Sequence, residues 1–186
     1  YTEDKTFEAG DFATTTIQRG EYDHCVFSGC NFSNTNLTGI HFVECTFNHC
    51  DLSLAGLAQT VFRDVQFNDC KLLGLRFDDC DSFLLSLEFN RCVLNFSSFF
   101  KLKLKKTKFS GCELQQVDFS EADLSNAIFK ECSMQGAVFD RTNLEKADFS
   151  TSLHYSIDPE INQIKKARFS LEGLPGLLVK YDIDIV

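Results

Sequence analysis

Tyr22 to Leu52 reads YDHCVFSGCNFSNTNLTGIHFVECTFNHCDL, and a bulky apolar side chain falls at every fifth position: Tyr22, Phe27, Phe32, Leu37, Phe42, Phe47 and Leu52. Two residues before most of these stands something small, as at Cys25, Cys30, Thr35, Cys45 and Cys50. A period of five fits neither regular element. On an α-helix five residues advance about 500°, so the apolar side chains would circle the cylinder and form no stripe. In a straight strand residues five apart face opposite sides, which leaves half of them in water. The pattern is satisfied by a three-residue extended piece, with its small and central residues both pointing inward, followed by a two-residue turn that resets the direction. Ser28-Gly29, Ser33-Asn34 and Thr38-Gly39 are suitable turn pairs.

The beat runs outward from this stretch. It starts at Phe7, Phe12 and Ile17, continues through Leu57, Phe62, Phe67, Leu72 and Phe77, slips by two residues, and resumes at Leu84 to run on to Phe149. Every fourth central residue is Phe: Phe7, Phe27, Phe47, Phe67, Phe89, Phe109, Phe129, Phe149 and, continuing the series, Phe169. Cys30, Cys50, Cys70, Cys92, Cys112 and Cys132 form a second file with the same spacing. Four five-residue sides therefore make one square coil, and the Phe file is a ladder through the core. Stacked like parallel strands, about eight coils at ~4.8 Å each give a rod of roughly 38 Å. The fold class expected is all-β, a quadrilateral parallel β-helix, and the bias of parallel crossovers favours the right hand. The two extra residues predict an outward bulge at Cys80, Asp81, Ser82 and Phe83, a place for partner contact where Cys80 is the one thiol expected to be reachable.

The chain has 186 residues, 44% of them apolar, enough for one domain with a buried core. Its 27 acidic against 18 basic residues give a net charge of −9, which argues against direct nucleic-acid binding. Nine cysteines, an odd number, with no signal-peptide pattern before them point to a reducing, cytoplasmic setting. No apolar run is long enough for a membrane span. His24, His41, His49 and His154 fall at turn or flanking positions, and the stacked cysteines read as small core fillers. No phosphate loop, zinc spacing or nucleophile elbow is present. We expect no enzyme activity, metal or cofactor.

Charge is uneven along the chain: residues 1 to 99 hold 14 acidic and 6 basic residues, whereas 100 to 186 hold 13 and 12. Lys101, Lys103, Lys105, Lys106 and Lys108 form a basic patch near mid-rod. It reads either as a solvated face that discourages sideways aggregation or as a contact for an acidic partner. Residues 1–170 read as the β-helix and 171–186 as a separate C-terminal module. There Leu171, Leu174, Leu177 and Leu178 fit a short helix, and Tyr181, Ile183 and Ile185 alternate with Asp182 and Asp184 as a strand. The module reads either as a lid on the open end of the rod or as a dimer interface built from Leu174, Leu177, Leu178, Tyr181, Ile183 and Ile185.

Cys30-Asn31-Phe32-Ser33-Asn34, Ala122-Asp123-Leu124-Ser125-Asn126 and Ala147-Asp148-Phe149-Ser150-Thr151 resemble the pentapeptide-repeat family, over about residues 5 to 170. The resemblance implies a right-handed quadrilateral β-helix. Within the family the chain is similar to the quinolone-resistance proteins of the Qnr kind. That likeness implies imitation of duplex DNA, DNA gyrase or topoisomerase IV as partner, protection from quinolones, and a homodimer joined through the C-terminus. The alternative is a rigid scaffold or interaction module for another partner.

Overall fold

Each five-residue unit forms one wall of a coil, and four units return the chain to its starting wall one layer further on. The structure, a computed structural model that describes residues 1–184, is an all-β parallel β-helix. One wall is a nine-stranded parallel sheet running from Thr6–Glu8 to Arg168–Phe169; another holds four parallel strands from Thr2–Glu3 to Val61–Arg63. On the remaining walls the coils are joined by single bridges such as Asn31 to Asp51 and Ser98 to Asp118. Neighbouring coils pair in register, Phe27 with Phe47 and Phe47 with Phe67, until Phe67 meets Phe89 and absorbs the two-residue slip.

The interior is solid side chain. Phe7, Phe27, Phe47, Phe67, Phe89, Phe109, Phe129, Phe149 and Phe169 lie one above another with nearly parallel rings, centroids 4.7 to 5.6 Å apart. Rings from adjoining walls meet them edge-on, as Phe32 and Phe42 do against Phe27. Quadrupoles favour both geometries over a face-centred sandwich. Burial of each ring contributes about 1.5–3 kcal/mol.

The small inward positions do more than fill space. Each thiol of the cysteine file donates to the Phe carbonyl of the preceding coil: Cys50 Sγ to Phe27 O at 3.4 Å, Cys70 to Phe47 at 3.4 Å, Cys92 to Phe67 at 3.3 Å and Cys132 to Phe109 at 3.4 Å. Thr60, Ser97, Thr142 and Ser152 make the corresponding bond with hydroxyls at 2.8 to 2.9 Å, to the carbonyls of Leu37, Leu72, Phe119 and Phe129. The buried thiol or hydroxyl is thereby satisfied inside the core, sharing its carbonyl with a backbone donor where Ile40 N–H also reaches Leu37 O and Ala122 N–H reaches Phe119 O.

The corners carry the strain of the design. Residues two beyond the central position take left-handed φ, including the non-glycines His24, Asn34, Glu44, Asp64 and Lys106, a conformation disfavoured by about 1–2 kcal/mol per L-residue. Asp or Asn before the central residue offsets part of this by accepting from the N–H two residues on, as Asp51 does from Ser53 and Asp123 from Ser125.

Past Phe169 the structure departs from expectation. The short helix takes the form of two 3-10 turns, Leu174–Leu177 and Val179–Tyr181, and the expected strand is absent among the described residues. Tyr181 closes the second turn and Asp182 takes a left-handed φ of 48°, so the alternation of apolar and acidic residues builds no strand through Asp184. Ile185 lies outside the described residues. The cause is packing: Gly173 and Gly176 press against Tyr155 so closely that a Cβ at either would overlap it, and Ile157 N–H donates to Gly176 O at 2.9 Å. Lys180 pairs with Asp158 and Glu160, and Tyr181 donates to Glu160. These contacts coil the tail over the last layer of the rod.

Candidate interaction surface

With the core filled, whatever this molecule recognises meets its outside. The slip is one place where the outside is irregular. Asp81 still bridges Val61, and pairing resumes between Val65 and Leu87, so the extra residues are accommodated between Ser82 and Ser86. Asp81 Oδ1 accepts from Phe83 N–H at 2.8 Å, as Asp51 and Asp123 do at regular corners, and the detour follows that corner.

Two expectations are corrected here. Leu84 does not resume the inward beat: it occupies a left-handed corner at φ 59° and is 55% exposed, while Leu87 is buried in the small position before Phe89. The insertion is absorbed before that point, so the inward series restarts three residues after Leu84. Cys80 is not reachable. It remains in the wall, only 8% exposed, and burial pushes its thiol pKa up. The apolar contact surface of the bulge is instead Phe83 with Leu84, Phe83 being 71% exposed.

All five lysines of the basic patch are exposed on the wall and corner that follow the bulge, except that they alternate with buried Leu102, Leu104 and Thr107. Lys101 lies 3.5 Å from Glu121, Lys105 3.3 Å from Asp123 and Lys108 3.5 Å from Glu88. Lys103, Lys105, Lys106 and Lys108 border a groove of about 320 Å³ that the bulge opens.

The opposite charge collects near the N-terminus. Asp4, His24, Glu44 and Asp64 occupy equivalent left-handed corners of four successive coils. His24 bridges its neighbours, Nδ1 to Asp23 Oδ1 at 2.7 Å and Nε2 to Glu44 Oε2 at 2.9 Å. The Asp23 hydrogen bond, then the Glu44 charge, raise the His24 pKa above its ordinary value. His41, His49 and His154 are exposed as well. Asp23 also accepts from Tyr1 Oη at 2.8 Å.

At the far end Leu177 and Leu178 of the tail are half-buried, Leu177 against the core, while Leu174, Val179, Tyr181 and Ile183 are 40 to 61% exposed. The tail thus covers the last coil with one side and presents apolar side chains on the other. Val179 is a surface residue that sequence reasoning missed, because it falls off both the helical and the alternating pattern. No helix among the described residues is long and apolar enough to cross a membrane.

Comparison with known proteins agrees with this geometry. The family model described as pentapeptide repeat region matches residues 20–99, 40–115 and 82–158. No curated sequence matches significantly. Among solved structures, full-length QnrB1, a plasmid-mediated fluoroquinolone resistance protein, aligns with a TM-score of 0.57 at 13% identity over 97% of this chain and 99% of its own. A trypsin-treated QnrB1 variant gives 0.51 at 18% identity, over 100% and 99%. HetL, a pentapeptide repeat protein involved in heterocyst differentiation regulation from the cyanobacterium Nostoc sp. strain PCC 7120, gives 0.55 at 15% identity over 91% and 85%. At such identities the likeness establishes the fold.

Proposed function

Since this chain belongs to the pentapeptide-repeat family, we propose that it is a rigid, non-enzymatic binding rod whose acidic N-terminal edge stands in for duplex DNA on a type II topoisomerase, DNA gyrase or topoisomerase IV, and lowers its sensitivity to quinolones. One observation carries this reading: the corner stack of Asp4, Glu44 and Asp64 around His24, with Asp23 beside it. Glu44 and Asp64 on successive coils, ~4.8 Å apart, with Asp4 two coils from Glu44 and Asp23 beside His24, form a broken line of negative charge on a stiff support. Duplex DNA carries one charge per ~1.7 Å, so the imitation is local and leaves the C-terminal half free for other contacts. The fold shared with a fluoroquinolone resistance protein supports the protective role. Nine free, buried thiols suit a cytoplasmic protein. The exposed apolar side chains of the tail, Leu174, Val179, Tyr181 and Ile183, suit a homodimer joined through the C-terminus.

A second reading, a scaffold for some other partner, is favoured by the lysine wall, which interrupts the acidic surface at mid-rod. A gyrase supercoiling assay titrated with the protein, with and without a fluoroquinolone, separates the two. The topoisomerase reading expects supercoiling to be restored in the presence of drug, and Glu44→Lys with Asp64→Lys to abolish the rescue. Neither inhibition nor rescue at micromolar protein would leave the scaffold.

A further inference from the structure

The insertion does more than extrude a bulge; it opens the coil ladder on one wall. Elsewhere on that wall the N–H before each central position donates to the preceding coil: Val61 to Ile40 at 3.0 Å, Asp81 to Thr60 at 3.0 Å, Asp123 to Leu102 at 2.9 Å. Between the bulge and the next coil the series lapses. Among the described residues Lys103 N–H has no backbone acceptor and Cys80 C=O no backbone donor. An unpaired strand edge of this kind is a template for another chain.

Charge coincides with the open edge. Of the five lysines, Lys103 and Lys106 alone have no carboxylate within 4.0 Å among the described residues. Both border the groove, whose other lip is formed by Leu85 to Glu88. Phe83 and Leu84, 71% and 55% exposed, precede that lip. Two unneutralised cations, an open main-chain edge and two uncovered apolar side chains therefore occur together where the insertion interrupts this wall.

We infer that this wall docks an extended acidic segment of a partner protein. The segment pairs its backbone with the open edge at Lys103, sets carboxylates against Lys103 and Lys106, and rests an apolar side chain on Phe83 or Leu84. A nucleic acid fits less well. Asp64 and Glu88 line the same groove and the chain carries −9 overall, which repels a continuous phosphate backbone, whereas a peptide can place its carboxylates singly beside the free lysines. The inference does not rest on the topoisomerase reading, which uses a different surface of opposite sign.

Fluorescence anisotropy of the full chain with a short fluorescein-labelled peptide of alternating Glu and Val tests this. Binding should saturate and weaken with added salt. The double variant Lys103→Glu/Lys106→Glu should weaken it at least about tenfold and Phe83→Ser about threefold, whereas Lys165→Glu/Lys166→Glu, the same charge change on the last coil, should alter it less than about twofold. Melting temperatures identify any variant that fails to fold, and Lys103→Gln/Lys106→Gln then takes the place of the reversal. Absence of saturable peptide binding, an equal loss in the Lys165/Lys166 control, or tighter binding of a labelled DNA duplex than of the peptide would each overturn the assignment.

Discussion

At the residue scale the fold depends on what each corner and each inward slot can tolerate. Gly29 has φ +62° with nothing within 4 Å of an added Cβ, so Gly29→Ala should cost about 1 kcal/mol in denaturant unfolding, from left-handed strain alone. Gly176→Ala is a different case, because its Cβ would meet the Tyr155 main-chain carbonyl. It should undock the tail, seen as faster exchange of the Ile157 amide while the mid-rod amides stay protected. The nine thiols are all buried, so a disulfide reagent should titrate none in the native protein and nine after denaturation; a fast-reacting thiol at Cys80 would contradict its burial. His24 adds a pH dependence. Its folded pKa is raised above the ordinary 6.5 by the Asp23 hydrogen bond and the Glu44 charge. The stability it contributes is therefore complete below 6.5 and lost as pH rises through the folded value. Melting temperature measured across that range should fall more steeply for the native chain than for His24→Gln.

At the element scale one coil is the unit of cooperation. Phe109 is fully buried and stacked between Phe89 and Phe129 at 5.1 and 4.9 Å, so Phe109→Ala should cost about 3–5 kcal/mol. Because a solenoid is held by nearest-neighbour interfaces, calorimetry should also show its single transition broaden or split. This much of the architecture is legible in sequence, since a five-residue beat and a twenty-residue Phe file leave one geometry that buries both. Leu84 was misread for the same reason: it keeps the beat by residue type, and only the pairing of Val65 with Leu87 reveals that the inward series restarts later. The tail strand does not form because the alternation, though real, sits on a backbone fixed by Gly173 and Gly176 against Tyr155, a contact between distant residues. The thiol-to-carbonyl bonds were missed as well. A signal for them existed, since Thr60, Ser97, Thr142 and Ser152 share the cysteine position and all can donate.

At the scale of the whole molecule the two ends of the rod are not alike. The N-terminal corners gather carboxylates, the middle carries lysines, and the C-terminal tail presents apolar side chains on a cap already anchored to the last coil. Anchoring and outward display share only Tyr181: Tyr155, Lys180 and the tail glycines hold the cap, while Val179 at 61% and Ile183 at 55% exposure face away from it. If the display side joins two copies, Val179→Asp with Ile183→Asp should halve the mass measured by sedimentation equilibrium and leave the β-helix spectrum unchanged, because burying a carboxylate in an apolar interface is costly and exposing it on a cap is not. Gly176→Ala should do the reverse in part, loosening the cap first and the association through it. A native chain already monomeric at high protein concentration, or a double variant of undiminished mass, would reject the C-terminal dimer and leave these side chains as the outer skin of a lid.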